Sequence, residues 1–303
     1  MDKLFDCVVY HSPCNDGSAA AWVVNLFHKL QGKDIELIPC KASDEPIYTK
    51  LIGKRVLFVD ICPRLEYILV AAKVTKEIQI IDHHKTNYEA FESQELPNNV
   101  KALFDMGRSG CQLAWKYYSD EPEPWFISYI GAYDIWDFSL LPNVREIYSG
   151  MAEYHLFSFA GYQAMYENLS NDDYFKRILE HGKIELEKRN KIIQYVIDNK
   201  KIKCNFRRQY NVWLFTCSKH LISDVGHNLM NYAFSNGKFP DFTVGLIYYT
   251  DEYEKVSIHM RSDEFGIDVG ELCRSLGGGG HRNAASCIIY GYKNLLKLFP
   301  RSV

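Results

Sequence analysis

The segment IQIIDHHKTN, Ile78 to Asn87, joins a short apolar run to three consecutive side chains that can bind metal, Asp82, His83 and His84. A second apolar run, RVLFVD, also ends in an acid, Asp60. Further apolar runs precede them, FDCVVY from residue 5 and IELIPC from residue 35, and helical patterns separate the runs. Short continuous apolar strands that alternate with helices are typical of a parallel sheet covered on both faces. The sequence therefore predicts a doubly wound, mainly parallel α/β domain.

The pattern changes after residue 134. A long charged helical segment runs from Asn171 to Lys201, with Asn171 as its predicted N-cap. Four residues are expected to mark its apolar face: Ile178, Ile184, Ile192 and Val196. Strand-like and helical runs follow it and predict a smaller mixed α/β unit. We therefore expect a catalytic domain over residues 1–165, a linker helix over residues 166–203 and a substrate-binding domain over residues 204–303.

Composition narrows the possible partners and location. The chain has 303 residues, 47% of them hydrophobic and 24% charged, with a net charge of −3. A negative net charge does not favour long duplex nucleic acid, so any nucleic-acid partner is expected to be short. No stretch approaches the roughly 18 apolar residues of a membrane helix, so no membrane partner is expected. The nine cysteines are odd in number and never spaced as CxxC. Disulfides and a structural zinc site are therefore not expected, and a reducing cytoplasm fits best.

Acids and imidazoles follow several of the predicted strands. Asp60 and the Asp82–His84 triplet end two strands, while His11 and Asp16 lie in the loop after the first strand. In a parallel α/β sheet, residues at the carboxyl ends of the strands converge on one crevice. A single Asp there is often a helix N-cap and a single His a surface group. Together, however, these side chains predict a site for two divalent cations, Mn²⁺ or Mg²⁺, with Asp60 as the bridging carboxylate.

At these residues the chain resembles the DHH phosphoesterases, a family named after its Asp-His-His triplet. The resemblance covers nearly the whole chain and rests on the order and spacing of six motifs: HSPCNDG (11–17), FVD ending at Asp60, DHH (82–84), GRSGCQLAW (107–115), GAYDIWD around Asp134, and SLGGGGHRNAAS (275–286). It implies that two metal ions are held by five residues: His11, Asp16, Asp60, His83 and Asp134. It also implies that His84 faces the scissile phosphate and that the terminal glycine-rich loop belongs to a substrate-binding domain.

The first motif departs from the usual pattern of the family. Many members carry two acids separated by one position, whereas here Asp16 stands alone and Cys14, or alternatively Asn15, occupies the place of the earlier acid. A thiol is a poor ligand for Mn²⁺. The affinity for one of the two ions is therefore expected to differ from that of typical members.

Two regions are expected to contact substrate. Within the run Gly277–Gly280, the residues Gly278, Gly279 and Gly280 bring backbone N–H groups close to an anion, and His281 adds a donor, although a flexible turn is the alternative. The resemblance also implies that Arg261 contacts a phosphate or a terminal nucleotide. Arg108 and Ser109 could contact phosphate, but a helix start explains Ser109 equally well.

These expectations define a manganese-dependent phosphodiesterase of the oligoribonuclease type, which hydrolyses short oligonucleotides or dinucleotides to nucleoside monophosphates. His84 would stabilise the charge that develops on the phosphate or donate a proton. Asp60 would act in catalysis as the carboxylate that bridges the two metal ions. A 3′,5′-bisphosphonucleotide phosphatase and a non-catalytic nucleotide-binding homologue are the alternatives. A homodimer is possible.

Overall fold

The computed structural model describes residues 3–41, 44–199, 201–235, 237, 240–249, 254–263 and 266–300. The chain divides into two compact units, Met1–Leu186 and Glu187–Val303. The boundary between them falls inside one long helix. The predicted domain limits at residues 165 and 203 stay a prediction.

The first unit contains a five-stranded sheet in the order β2-β1-β3-β4-β5, in which every neighbouring pair is parallel. Its strands are β1 (Cys7–His11), β2 (Glu36–Cys40), β3 (Arg55–Val59), β4 (Glu77–Asp82) and β5 (Val100–Phe104). Its helices before the long one are α1 (Asn15–Leu30), α2 (Leu65–Ala71), α3 (Lys85–Phe91), α4 (Gly110–Tyr118), α5 (Trp125–Asp134), α6 (Val144–Glu153) and α7 (Phe159–Glu167). The predicted parallel α/β fold is confirmed.

Two buried clusters cover the two faces of this sheet. Along β3, Leu57 and Val59 belong to one cluster, whereas Val56 and Phe58 belong to the other. Successive side chains of a strand point to opposite faces, so a strand buried on both sides needs a continuous apolar sequence. The two-sided core explains why RVLFV contains no alternating polar residue. It also leaves the ends of the strands as the place where polar side chains can gather.

The long helix is α8 (Asp172–Asn199). It begins where the sequence predicts, since the backbone N–H of Tyr174 donates to the Asn171 side chain. The predicted apolar face is wrong in part, because Ile184 and Ile192 are 53% and 52% exposed. Ile184 is six residues from Ile178, and residues six apart do not share a face in a helix with about 3.6 residues per turn. Ile192 lies next to the buried Ile193, at the edge of the buried side. The buried side is formed instead by five residues: Ile178, Leu186, Ile193, Val196 and Ile197.

The second unit contains a six-stranded mixed sheet in the order β10-β11-β9-β8-β7-β6. Its strands are β6 (Ile202–Phe206), β7 (Tyr210–Thr216), β8 (Phe242–Tyr248), β9 (Lys255–Arg261), β10 (Gly279–His281) and β11 (Ala284–Tyr290). Its further helices are α9 (Ile222–Ser235), α10 (Val269–Arg274) and α11 (Tyr292–Leu298). The predicted mixed α/β character of this part is confirmed, and β7 with β8 is its parallel pair.

The glycine-rich run forms a hairpin strand and not a free turn. Gly279 and Gly280 pair with β11, opposite Ser286 and Ala285. A Cβ on Gly278 would lie 2.2 Å from the carbonyl oxygen of Ser286, so only glycine fits this approach. The backbone N–H of Gly278 donates to Cys273. Strand packing thus requires glycine at Gly278 and Gly280, where an added Cβ would lie 2.2 and 2.6 Å from a backbone oxygen, whereas a Cβ on Gly279 would meet no atom within 4 Å.

None of the helices formed by the described residues is both long enough and apolar enough to span a membrane.

Candidate metal centre

Polar side chains from four parts of the first unit meet at the carboxyl end of its parallel sheet. His11 ends β1, Asp60 directly follows β3, and Asp82 and His83 lie at the end of β4. Asp60 has a left-handed backbone conformation with a φ of 54°. Aspartate tolerates this conformation better than most residues, but it still stores strain of about 1 kcal/mol or more. Such strain at a cluster of ionisable groups is typical of a functional site.

Asp60 lies at the centre of the cluster. Its carboxylate is 3.1 Å from His83 Nε2 through Oδ1 and 3.3 Å from His11 Nδ1 through Oδ2. Burial alone would raise the pKa of Asp60, but the close imidazoles of His11 and His83 and the charge of His84 lower it below its usual range. Asp60 is 1% exposed, and its Oδ2 has no hydrogen-bond partner among the described residues. A buried carboxylate oxygen without a donor is costly unless a cation contacts it.

Asp16 is fixed by the start of a neighbouring helix. It lies in the first turn of α1 and accepts hydrogen bonds from the Ser109 hydroxyl at 2.7 Å and from the backbone N–H groups of Gly110 at 2.6 Å and Cys111 at 3.0 Å. The positive end of the α4 dipole therefore contacts this carboxylate. Burial nevertheless raises the pKa of Asp16, and the neighbouring Asp60 raises it further. The sequence motif GRSG thus holds a ligand candidate in place.

His83 connects three carboxylates. Its Nε2 lies 3.1 Å from Asp60 Oδ1, 3.4 Å from Asp134 Oδ2 and 3.9 Å from Asp16 Oδ2. Burial would lower the pKa of His83, but the hydrogen bond and charge of Asp60, with the charges of Asp134 and Asp16, raise it to about 10. Asp134, at the end of α5, has a side chain that is 28% exposed. A proton on His83 therefore offsets part of the negative charge of these three carboxylates, as a bound cation would.

The ligand-type atoms of the described residues form three sets, and within each set the atoms lie within 4.8 Å of one another. The first set is His11, Cys14 and Asp60, and the second is Asp16, His83 and Asp134; these two adjoin at Asp60 and His83. The third set, Asp60, Asp82, His83 and His84, shares one residue with each of the other two. Oxygen and imidazole donors suit divalent cations such as Mn²⁺, and Asp60 lies between the first two sets, as a bridging ligand must. The unpartnered Oδ2 of Asp60 and the mutually repelling acids show that the residues present fit a pair of cations. The structure thus brings together all five predicted metal ligands.

In the DHH triplet, Asp82 contacts the two histidine residues that follow it. Asp82 is fully buried, and its Oδ1 accepts from the backbone N–H of His83 at 2.8 Å and lies 2.7 Å from His84 Nδ1. Asn87 donates to the other oxygen of Asp82 at 2.7 Å. Burial would lower the pKa of His84, but Asp82 raises it to about 9. Asp82 therefore orients and charges His84, a role that sequence reasoning missed because three adjacent letters do not show which side chain contacts which.

Two glycines leave room for the carboxylates. A Cβ on Gly110 would lie 2.5 Å from Asp60 Cβ and 2.9 Å from Asp16 Oδ2. A Cβ on Gly17 would lie 2.3 Å from the carbonyl oxygen of His11 and 2.9 Å from Asp60 Oδ2. Real Cβ atoms essentially never approach other atoms this closely. The sequences NDG and SGC therefore contain glycine because the metal-ligand candidates occupy the space of its side chain.

Asn15, one alternative for the missing acid, contacts a tyrosine instead. Its side-chain nitrogen donates to the Tyr148 hydroxyl at 2.7 Å, and Tyr148 stacks on Tyr133 with ring centroids 3.6 Å apart. Tyr133 directly precedes Asp134. Asn15 thus ties the start of α1 to the helices that carry and support Asp134, whereas Cys14 stands beside His11 and Asp60.

The predicted substrate-binding residues are distributed over both units. In the first unit, Arg108 pairs with Asp105 at 3.3 Å, and Ser109 is the buried N-cap of α4, which confirms the alternative that it starts a helix. In the second unit, Arg261 ends β9 and donates to Ser223 Oγ at 2.7 Å. Gly279, Gly280 and His281 form β10. Contact of these residues with a substrate stays a prediction.

A scan against protein-family models finds no match for this chain. The uncharacterized protein R106 of Acanthamoeba polyphaga mimivirus is 28% identical, over 96% of this chain and 69% of that protein.

One solved structure shows the same fold. The DHH domain of a protein assigned to a family of ribosomal proteins is 14% identical, covers 96% of this chain and 86% of its own, and superposes with a TM-score of 0.56. RecJ from Thermus thermophilus in complex with Mn²⁺ is 11% identical, with 93% of this chain and 49% of that chain covered and a TM-score of 0.49. The chain therefore has the fold of the DHH phosphoesterases.

Proposed function

We propose that this protein is a metal-dependent phosphodiesterase that hydrolyses short oligonucleotides or dinucleotides to nucleoside monophosphates. The observation that carries the proposal is the position of Asp60. Its buried Oδ2 forms no hydrogen bond among the described residues and lies 3.3 Å from His11 Nδ1 of the first set, while Oδ1 lies 3.1 Å from His83 Nε2 of the second set. A carboxylate in this situation is what a bridged pair of cations requires.

Two divalent cations would be held by His11, Asp16, Asp60, His83 and Asp134. Mn²⁺ is the expected ion and Mg²⁺ the alternative, because carboxylate and imidazole are the main donors. When bound, such a pair supplies Lewis acidity to a phosphoryl group and makes water a stronger nucleophile near neutral pH. The protein fixes the geometry beforehand, since Asp16 already accepts three hydrogen bonds.

His84 would act on the phosphate through its Nε2 atom. The contact between its Nδ1 and Asp82 sets the ring orientation, and Asp82 raises the pKa of His84 to about 9 in the metal-free chain, which favours the protonated imidazole. From Nε2 it would donate a hydrogen bond to a phosphoryl oxygen, or a proton to the leaving oxygen. Its side chain is 28% exposed, so a substrate can reach it.

A substrate panel tests the reaction. Labelled RNAs of increasing length, cyclic dinucleotides and 3′,5′-bisphosphonucleotides are incubated with the protein and Mn²⁺, with and without a chelator. We expect the shortest phosphodiesters to react fastest and chelation to abolish turnover. Preferential release of phosphate from the bisphosphonucleotide would favour the phosphatase alternative. Nucleotide binding without turnover of any substrate would favour the non-catalytic alternative, and both outcomes would contradict the proposal.

Matched variants test the site. Asp60→Asn keeps the size of the side chain but weakens it as a ligand, so we expect turnover to fall by at least about a hundredfold. Asp120→Asn changes an exposed acid of the same unit and should leave turnover unchanged. Near-normal turnover by Asp60→Asn would show that Asp60 does not bridge a metal pair.

Arg261 and the β10 hairpin are proposed to bind the substrate, which would explain a preference for short chains. Arg261→Ala should then lower kcat/KM on dinucleotides strongly but leave the generic ester bis(p-nitrophenyl) phosphate nearly unaffected. Ser223→Ala is the control, because it removes the side-chain hydrogen-bond partner of Arg261 and keeps the guanidinium. Equal losses on both esters would mean that Arg261 supports the structure only.

A further inference from the structure

Cys14 begins α1 beside the candidate metal ligands. It is the N-cap residue of this helix and has extended backbone angles. Ser, Thr, Asp and Asn are strongly preferred at N-caps because their oxygen atoms accept from the first turn. Arg64, His84 and Pro124 also begin helices without a side-chain cap, so capping neither requires nor excludes a thiol here. The role of Cys14 therefore has to be inferred from its neighbours.

The neighbours of Cys14 are ligand-type atoms. Its Sγ, one oxygen of Asp60 and one ring nitrogen of His11 all lie within 4.8 Å of one another. Three donors at this mutual distance can contact a single ion, because metal–ligand bonds of about 2.0 to 2.3 Å bring the ligand atoms of a shared ion this close together.

A second observation points to a ligand at the same place. The Oδ2 atom of Asp60 is buried and unpartnered among the described residues, and it lies 3.3 Å from His11 Nδ1. An absent Cβ at Gly17 leaves space beside it, since that atom would lie 2.9 Å from the same oxygen. This buried oxygen, which forms no hydrogen bond among the described residues, thus lies next to a ring nitrogen of the set that contains the thiol.

The two sets differ in chemical softness. The set of Asp16, His83 and Asp134 offers two carboxylates and an imidazole, whereas the set of His11, Cys14 and Asp60 offers a sulfur, an imidazole and a carboxylate. Thiolate favours zinc and similar borderline cations over Mn²⁺ or Mg²⁺, which prefer oxygen. Equal occupancy of both sets by Mn²⁺ is therefore not what these donors favour.

We propose that Cys14 is a thiolate ligand and that the centre takes two different cations, a borderline cation such as Zn²⁺ at His11, Cys14 and Asp60, and Mn²⁺ or Mg²⁺ at Asp16, His83 and Asp134. This inference rests on the metal-dependent function proposed above. It narrows the expectation of two manganese ions to one. It also gives the cysteine in the first motif a chemical role in place of a missing acid.

Cobalt spectroscopy tests directly whether the Cys14 thiolate binds the metal. Metal-free protein is titrated with Co²⁺, which replaces Zn²⁺ and gives an intense near-ultraviolet charge-transfer band when bound to thiolate. We expect this band in the unmodified protein and its loss in Cys14→Ser, with weaker visible cobalt absorption retained from the oxygen-rich set. Cys204→Ser is the matched control, because Cys204 is also half-buried but lies in the second unit, and it should keep the band.

Elemental analysis tests whether the chain binds one zinc and one manganese ion. Dialysis against equal concentrations of Zn²⁺ and Mn²⁺ should leave about one of each ion per chain. In Cys14→Asp, a carboxylate replaces the thiolate, and the bound zinc should be replaced largely by manganese. This second variant also guards against poor folding of Cys14→Ser, and circular dichroism checks both.

The outcomes separate this inference from the proposed function. A charge-transfer band that survives in Cys14→Ser, or an unchanged zinc-to-manganese ratio in Cys14→Asp, overturns the role of Cys14 even if phosphodiesters are hydrolysed. A band that depends on Cys14 in a protein that hydrolyses no phosphoester supports the ligand and overturns the function.

Discussion

Replacement of Gly110 by alanine tests whether the start of α4 sets the geometry of the metal centre. The added Cβ would stand 2.5 Å from Asp60 Cβ and 2.9 Å from Asp16 Oδ2. Because ordinary carbon contacts begin near 3.5 Å, the two carboxylates or the helix start must move by about 1 Å. Displacement of this size in a reacting group lowers rates by about a hundredfold. We therefore expect turnover to fall by about that factor.

The effect of Gly110→Ala on stability should be smaller than its effect on activity. Insertion of a methyl group into a packed site costs about 1 to 3 kcal/mol, and alanine regains up to about 1 kcal/mol because its helix propensity exceeds that of glycine. When alanine regains the full 1 kcal/mol, the free energy of unfolding should thus fall by about 0 to 2 kcal/mol, and the protein should stay folded at room temperature. Turnover is measured with saturating metal, and unfolding is followed in urea.

Gly107→Ala is the matched control for this experiment. It lies three residues earlier, and its added Cβ would meet only the side-chain oxygen of Asp105 at 3.3 Å. Turnover should stay within about twofold of the unmodified protein, because a flexible side chain can move aside. Unchanged turnover in Gly110→Ala, or equal losses in both variants, would show that close packing at α4 does not control the centre.

Three further perturbations have defined outcomes. Asp82→Asn should lower turnover by about ten- to a hundredfold but keep the bound metal, because Asp82 orients His84; loss of metal on elemental analysis would instead make Asp82 a ligand. Burial lowers the pKa of His259 to about 4, so protonation below about pH 6.5 favours the unfolded chain. The free energy of unfolding in urea should therefore fall by up to about 3 kcal/mol between neutral pH and pH 4, and by less in His259→Gln. The same pH dependence in both proteins would show that His259 is not its cause. Gly182→Ala should destabilise the first unit by at least about 1 to 3 kcal/mol, because its Cβ would overlap the carbonyl oxygen of Glu146; an unchanged urea midpoint would contradict that contact.

The strand ends could be predicted from the sequence because burial and chemistry change at the same residues. Runs such as RVLFV are buried on both faces, and the polar residue that follows must leave the sheet. The convergence of Asp60 and His83 then follows from parallel pairing of β3 with β4. The N-cap at Asn171 could also be predicted, because its hydrogen bond with the backbone N–H of Tyr174 joins residues only three positions apart.

Contacts between distant residues could not be predicted in this way. The hydrogen bond from Ser109 to Asp16 joins residues 93 positions apart, and no local pattern encodes it. The glycine-rich run resembles a flexible loop by composition, yet its pairing with β11 depends on how β11 lies in the sheet. The predicted apolar face of α8 is wrong in part for another reason: Ile184 does not follow the helical period from Ile178, and Ile192 lies at the exposed edge of the buried side.

The electrostatics of the centre indicate which ligand set is preassembled. Asp16 already has three donors, so its position does not depend on a cation. Asp60 differs, because Oδ2 is buried without a donor among the described residues and the residue is held in a strained backbone conformation. The imidazole of His11, 3.3 Å from Oδ2, offsets part of the desolvation of that oxygen, and a bound cation would offset more of it. A cation that binds the native chain alone stabilises it by an amount that grows with the logarithm of ion concentration over Kd. The set that contains Asp60, His11 and Cys14 should therefore link metal binding most strongly to the stability of the first unit, while the set that contains Asp16 keeps its shape without metal.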